Sequence, residues 1–235
     1  MNVESKAERS WRDARALDSV WFAPLAAAVA FALLAAGDQS LITRLLAVIV
    51  QIVVFEIVVT SHIQSRTVRR IALAVAPLSL ALSVASYLMG GDTGRGIAAA
   101  LGAILVAGVI ATIFHRIVSA PIINLTVVVN AITVYVLAGL FYSYVFLAID
   151  AGSSREFFAG QPDQATSVYL YFSYVTLTTV GYGDFVPGTT LARFLSVSES
   201  LIGQLYLVTI LAVIVSNLGR QRRRDESPTT QADDS

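Results

Sequence analysis

Six long apolar segments constrain this chain more than any other feature. They fall at about residues 19–36, 41–62, 70–89, 96–116, 122–149 and 191–218, each near the roughly 20 residues that a helix needs to cross a hydrocarbon layer. Inside such a layer each backbone N–H and C=O must find its partner within the protein, which a helix achieves segment by segment. Composition agrees: 56% of the residues are apolar and 14% charged, too little charge for a soluble domain of this length. The expectation is an all-α membrane protein with six transmembrane helices.

Basic residues set the orientation. Lys6, Arg9, Arg12 and Arg15, then Arg66, Arg69 and Arg70, then His115 and Arg116, then Arg220, Arg222, Arg223 and Arg224 all fall on one side of this layout. Asp38, Asp92 and Arg95 fall on the other, so the excess of positive charge puts both termini in the cytoplasm; the plasma membrane is the expected location. Residues 1–18 read as a cytoplasmic segment leading into a retained first span. Residues 220–235 read as a basic run followed by a disordered acidic tail, with the four arginines as candidate contacts for anionic lipid in the bilayer. The absence of cysteine excludes disulfides and thiolate metal sites. With no nucleophile constellation, phosphate loop or metal cluster, the sequence points away from an enzyme, an organic cofactor and a nucleic-acid partner.

Between the fifth and sixth apolar segments lies Thr178-Thr179-Val180-Gly181-Tyr182-Gly183-Asp184. The preceding stretch, Thr166 to about Thr178, is too short to span and reads as a re-entrant helix. Residues 150–165 read as a solvated outer loop, rich in glycine, serine and proline. Gly181 and Gly183 tolerate positive φ, which a backbone needs if successive carbonyls are to turn to one side. The run is similar to the selectivity filter of the potassium channel superfamily, whose Thr-Val-Gly-Tyr-Gly loops replace the hydration shell of the ion with carbonyl oxygens. That resemblance implies permeant potassium ions held by the carbonyls of Thr179, Val180, Gly181 and Tyr182 and by the Thr179 hydroxyl, with Thr178, Gly183 and Asp184 as support. Four loops make such a filter, so it also implies a homotetramer, each chain joined by three identical subunits. The implied function is passive, potassium-selective conduction. A potassium transporter subunit and a non-conducting regulatory or scaffold subunit are the alternatives. Residues 19–117 would form a four-helix domain and 118–219 the pore domain.

Several positions depart from the family or remain open. A voltage sensor needs several arginines within the membrane, each charge contributing about 2.3 kcal/mol per 100 mV, and none lies from Gly96 to Phe114. Steep voltage gating is therefore not expected. Where many members carry two tryptophans before the filter, this chain has Tyr171 and Phe172. Tyr171 keeps a donor that could reach Asp184, whereas Phe172 can only pack, with Tyr182 as the expected neighbour. Gly203 occupies the position of the family's gating hinge, and a close helix contact explains it equally well. Glu56 and Glu199 are intramembrane acids. For Glu56 a pair with Arg69 or Arg70 competes with a functional role. For Glu199, bonding to polar groups behind the filter competes with a place on the ion path.

Overall fold

The computed structural model describes residues 91–119, 125–162 and 164–225, together with helical positions at 46, 49, 53, 81 and 85. The segment 1–18, the first expected span, all but those five positions of the second and third, with Glu56 among them, and the tail beyond Asp225 lie outside the described residues. Four helices follow in order: α1 Gly91–Ser119, α2 Leu125–Gly152, α3 Thr166–Leu177 and α4 Thr190–Asp225. Of these, α1, α2 and the Thr190–Val213 part of α4 are long and apolar enough to cross a membrane. They correspond to the fourth, fifth and sixth expected spans. With 12 residues, α3 is only about 18 Å long and cannot cross. The described residues contain no strand beyond one isolated antiparallel bridge between Phe158 and Pro187.

Helix α2 is the hub, packing against each of the other three, while among the described residues the backbone of α1 does not approach those of α3 and α4. Its apolar residues run round the whole cylinder, the pattern of a helix surrounded by other helices or lipid. On α1, Ala99, Ala103, Val106, Val109 and Ile113 recur at three- and four-residue intervals and are buried. Small residues let the two axes come close: a Cβ on Gly102 would stand 3.0 Å from the Tyr144 ring. One charged side chain links the α1 end to the short helix. Arg95 donates to the Gln164 carbonyl, and its guanidinium lies 5.5 Å from the Tyr169 ring centroid. The Tyr169 hydroxyl in turn donates to Asp150 Oδ2 at 2.5 Å. Arg95 is therefore held by protein at the end of its helix.

The outer loop keeps its expected solvated character except at two adjoining residues. Phe157 and Phe158 are 2% and 1% exposed, inserted among Phe146, Tyr169 and Phe172, with Phe158 also against Phe185. Burying an aromatic side chain stabilises by about 1.5–3 kcal/mol, enough to draw a polar loop down onto the helices. The backbone then pairs with the segment after the seven-residue run: Ala159 N–H donates to the Val186 carbonyl at 2.9 Å and Gly188 N–H to the Phe157 carbonyl at 2.7 Å. Asp150 Oδ1 accepts from Phe157 N–H at 3.0 Å, fixing the other end of the strap.

Candidate functional site

The last turn of α3 must place four carbonyls that no helical amide can reach. Here the chain that follows supplies partners. Thr178 N–H donates to the Tyr174 carbonyl at 3.0 Å, Thr179 N–H to Thr176 at 3.0 Å, Val180 N–H to Val175 at 2.9 Å and Gly181 N–H to the same Val175 carbonyl at 3.3 Å. Side chains of both long neighbours add to this. From α2, the Tyr135 hydroxyl donates to the Leu177 carbonyl at 3.2 Å, and from α4 the Ser200 hydroxyl donates to Thr176 at 3.1 Å. The run is thus hung from the end of the short helix, while that end is gripped by α2 and α4.

Along the run, φ is +60° at Thr179, +55° at Gly181 and +79° at Gly183, while Val180 and Tyr182 between them are not left-handed. Ordinary extended backbone points successive carbonyls to opposite sides. Reversing the handedness at every second residue undoes that alternation and allows consecutive carbonyls to share a side. The glycines were legible as positive-φ positions. Thr179 was not, because a β-branched residue avoids this region, and its conformation is imposed by the amide bonds on either side. Val180 and Tyr182 remain 51% and 71% exposed, so the run faces away from its own chain.

At the outer end, the Tyr171 hydroxyl donates to Asp184 Oδ2 at 2.7 Å. The second carboxylate oxygen accepts from Phe185 N–H at 3.1 Å. This hydrogen bond to Asp184 pushes the Tyr171 phenol up to about 12. Gln161, which the sequence reading did not single out, donates through Nε2 to the Asp184 carbonyl at 3.0 Å. A lone glutamine in a polar loop carries no signal of such a contact. The Tyr171 and Tyr182 rings lie parallel, 6.4 Å apart.

Phe172 does not meet Tyr182 within the chain as expected. It points the opposite way, 6% exposed, into the cluster of Phe146, Phe157 and Phe158 at 5.1–6.0 Å between centroids. Adjacent residues on a helix face about 100° apart, so with Tyr171 turned to the filter-like run, Phe172 is carried toward the core. Its support of the run is indirect, through the aromatic packing beneath α3.

Gly203 sits where α4 touches the end of α3. A Cβ there would stand 2.6 Å from Leu177 Cδ1 and 2.9 Å from the Leu177 carbonyl oxygen, so a close helix contact is realised at this position. Glu199 is fully buried, in hydrogen-bond contact with the Ser173 hydroxyl on α3. Arg193 turns away from it, donating through Nε to the Pro187 carbonyl at 3.0 Å.

A helix too short to cross, an irregular run suspended from its end and a return into a long apolar helix make one re-entrant unit between helices long enough to cross a membrane. Residues 130–220, which contain α3, the run and most of α4, match the family model described as an ion channel. Similar proteins include two pore potassium channel c of rice, 34% identical over 84 residues, covering 32% of this chain and 18% of that protein. The human A-type voltage-gated potassium channel KCND3 is 33% identical over 84 residues, 36% of this chain and 12% of its own. Probable potassium channel protein 2 of Methanocaldococcus jannaschii is 45% identical over 49 residues, 20% of this chain and 14% of that one. The chain thus spans less than a fifth of the length of these curated relatives. Over this segment the chain resembles potassium channels, and its long apolar helices support an integral membrane protein. The matching family model and these relatives describe ion channels, not enzymes.

Proposed function

We propose that the chain forms one quarter of a potassium-selective pore, with the carbonyls of Thr179, Val180, Gly181 and Tyr182 and the Thr179 hydroxyl as the ion ligands. The observation that carries this reading is the alternation of left-handed residues at Thr179, Gly181 and Gly183, in a run suspended from the end of α3. Potassium crosses only where oxygens replace its hydration shell at little cost, and a pre-hung row of carbonyls meets that need. Thr178, Gly183 and Asp184 support the run, Asp184 through Tyr171.

Four copies complete the pore. In one chain Tyr182 is exposed, and so is an apolar stripe along α4 comprising Phe194, Val197, Leu201, Leu205 and Val208, each 58–68% exposed. An open groove of about 720 Å³ lined by Tyr171, Tyr174, Val175, Val180 and Tyr182 offers a seat for the neighbouring copy. Residues 118–219 act as the pore domain and 19–117 as a four-helix domain of six spans in all. Both termini face the cytoplasm of a plasma membrane, and the basic run at Arg220–Arg224 meets anionic lipid. The function is tested by reconstituting the purified protein in bilayers with potassium on one side and sodium on the other. A reversal potential near the potassium equilibrium value is expected, and one near zero overturns the reading.

A further inference from the structure

The hydroxyl of Ser173 lies 2.7 Å from the carbonyl oxygen of Gly139 on α2 and in hydrogen-bond contact with Glu199 Oε1 on α4. A serine has one proton to give, and a backbone carbonyl can only accept. If Ser173 donates to Gly139, the second bond exists only when the proton comes from Glu199. Three further observations point the same way. Glu199 is completely enclosed by its own chain. Its Oε2 has no hydrogen-bond partner, which a neutral carbonyl oxygen tolerates far better than half of a carboxylate. No cation reaches it among the described residues. The titratable groups facing it are phenols: Tyr135 on α2 and Tyr174 on α3, with Tyr142 on α2 beside the adjoining Ser198. On α4 itself, Arg193 is committed to Pro187.

We propose that Glu199 is kept as the neutral carboxylic acid and acts as a positioning residue, passing a hydrogen bond through Ser173 to Gly139 and so clasping α4, α3 and α2 together directly behind the filter. The geometry is specific to this site. A Cβ on Gly139 would stand 2.8 Å from the Tyr174 ring, so glycine lets α3 come close enough for Ser173 to reach the α2 carbonyl. Two residues beyond Ser173, the Val175 carbonyl holds the amides of Val180 and Gly181. A slip of α3 in the clasp is therefore a displacement of the filter backbone. This inference rests on the pore reading for its functional consequence, but not for the state of the acid.

The test pairs infrared spectroscopy with current recording on the full chain in lipid. Wild type should show the carbonyl stretch of a protonated carboxylic acid that disappears in Glu199→Gln and shifts in Ser173→Ala. In recordings with lowered external potassium, Glu199→Ala and Ser173→Ala should each speed loss of current about tenfold, the scale of one buried hydrogen bond left unmade. Glu199→Gln, which retains a donor, should stay near wild type. Absence of the band, a band unmoved by Ser173→Ala, or alanine variants that hold current as wild type does each overturn the clasp. Should Glu199→Ala fail to assemble, Ser173→Ala decides by itself. A wild-type protein that shows the band yet passes no potassium would sink the pore reading and leave the protonated acid standing.

Discussion

A methyl group added at Gly181 and one added at Gly203 probe two different physical limits. At Gly181 there is open space around the missing Cβ, but φ is +55°, so alanine is penalised by its own backbone, about 1–2 kcal/mol in each subunit. We expect Gly181→Ala to insert and assemble while its bi-ionic reversal potential moves toward zero. At Gly203 the backbone is helical and the obstacle is the Leu177 carbonyl at 2.9 Å; overpacking of this kind costs about 1–3 kcal/mol. Gly203→Ala should lower the melting temperature of the detergent-solubilised protein, whereas unchanged melting with altered gating would make Gly203 a hinge. Tyr171 belongs to the same scale. Its pKa of about 12 lies above the ~10 of a free phenol. The contribution of its link to Asp184 is therefore complete below about pH 10 and is lost as pH rises through the upper value. Tyr171→Phe should hasten filter collapse in low external potassium and abolish that alkaline step. A double-mutant cycle with Asp184→Asn checks the link, since additive effects would mean that the two side chains act independently.

At the scale of elements, what could be read from the chain depended on whether the information was local. Helices α2, α3 and α4 begin at Leu125, Thr166 and Thr190, within a few residues of expectation, because apolar length and turn residues are properties of the segment itself. The outer loop is exposed as its polar composition suggests, except at the adjoining Phe157 and Phe158, the signal that it had an inner side. The orientation of Phe172 follows from the rotation of α3, which only tertiary packing sets, and the left-handed Thr179 from hydrogen bonds donated to another element. The strap makes its own prediction. Phe158→Ala removes a ring that is 1% exposed and should destabilise the solubilised protein by about 3–5 kcal/mol, read from thermal melting, without altering which ion sets the reversal potential. A loss no larger than that of a surface substitution would mean that the loop is not anchored by its aromatic residues.

For the whole molecule, charge along α1 is the deciding quantity. Arg95 is tied to the Gln164 carbonyl and Tyr169, and the helix offers no other arginine before Arg116. Little charge can move through the field, so open probability should change only gradually with voltage. A steep conductance–voltage curve, equivalent to several elementary charges per assembly, would refute this. The described residues leave the single chain with a filter-like run whose Tyr182 is 71% exposed. Under the proposed function a surface like that belongs to an object no single chain completes, and this has a genetic meaning. In the proposed assembly of four loops, a cell carrying one sound and one filter-defective copy of the gene would build, by random mixing, roughly one pore in sixteen free of the defective chain. A lesion at Gly181 should therefore behave as dominant, silencing most of the normal product along with its own, whereas a lesion that prevents folding altogether should be recessive.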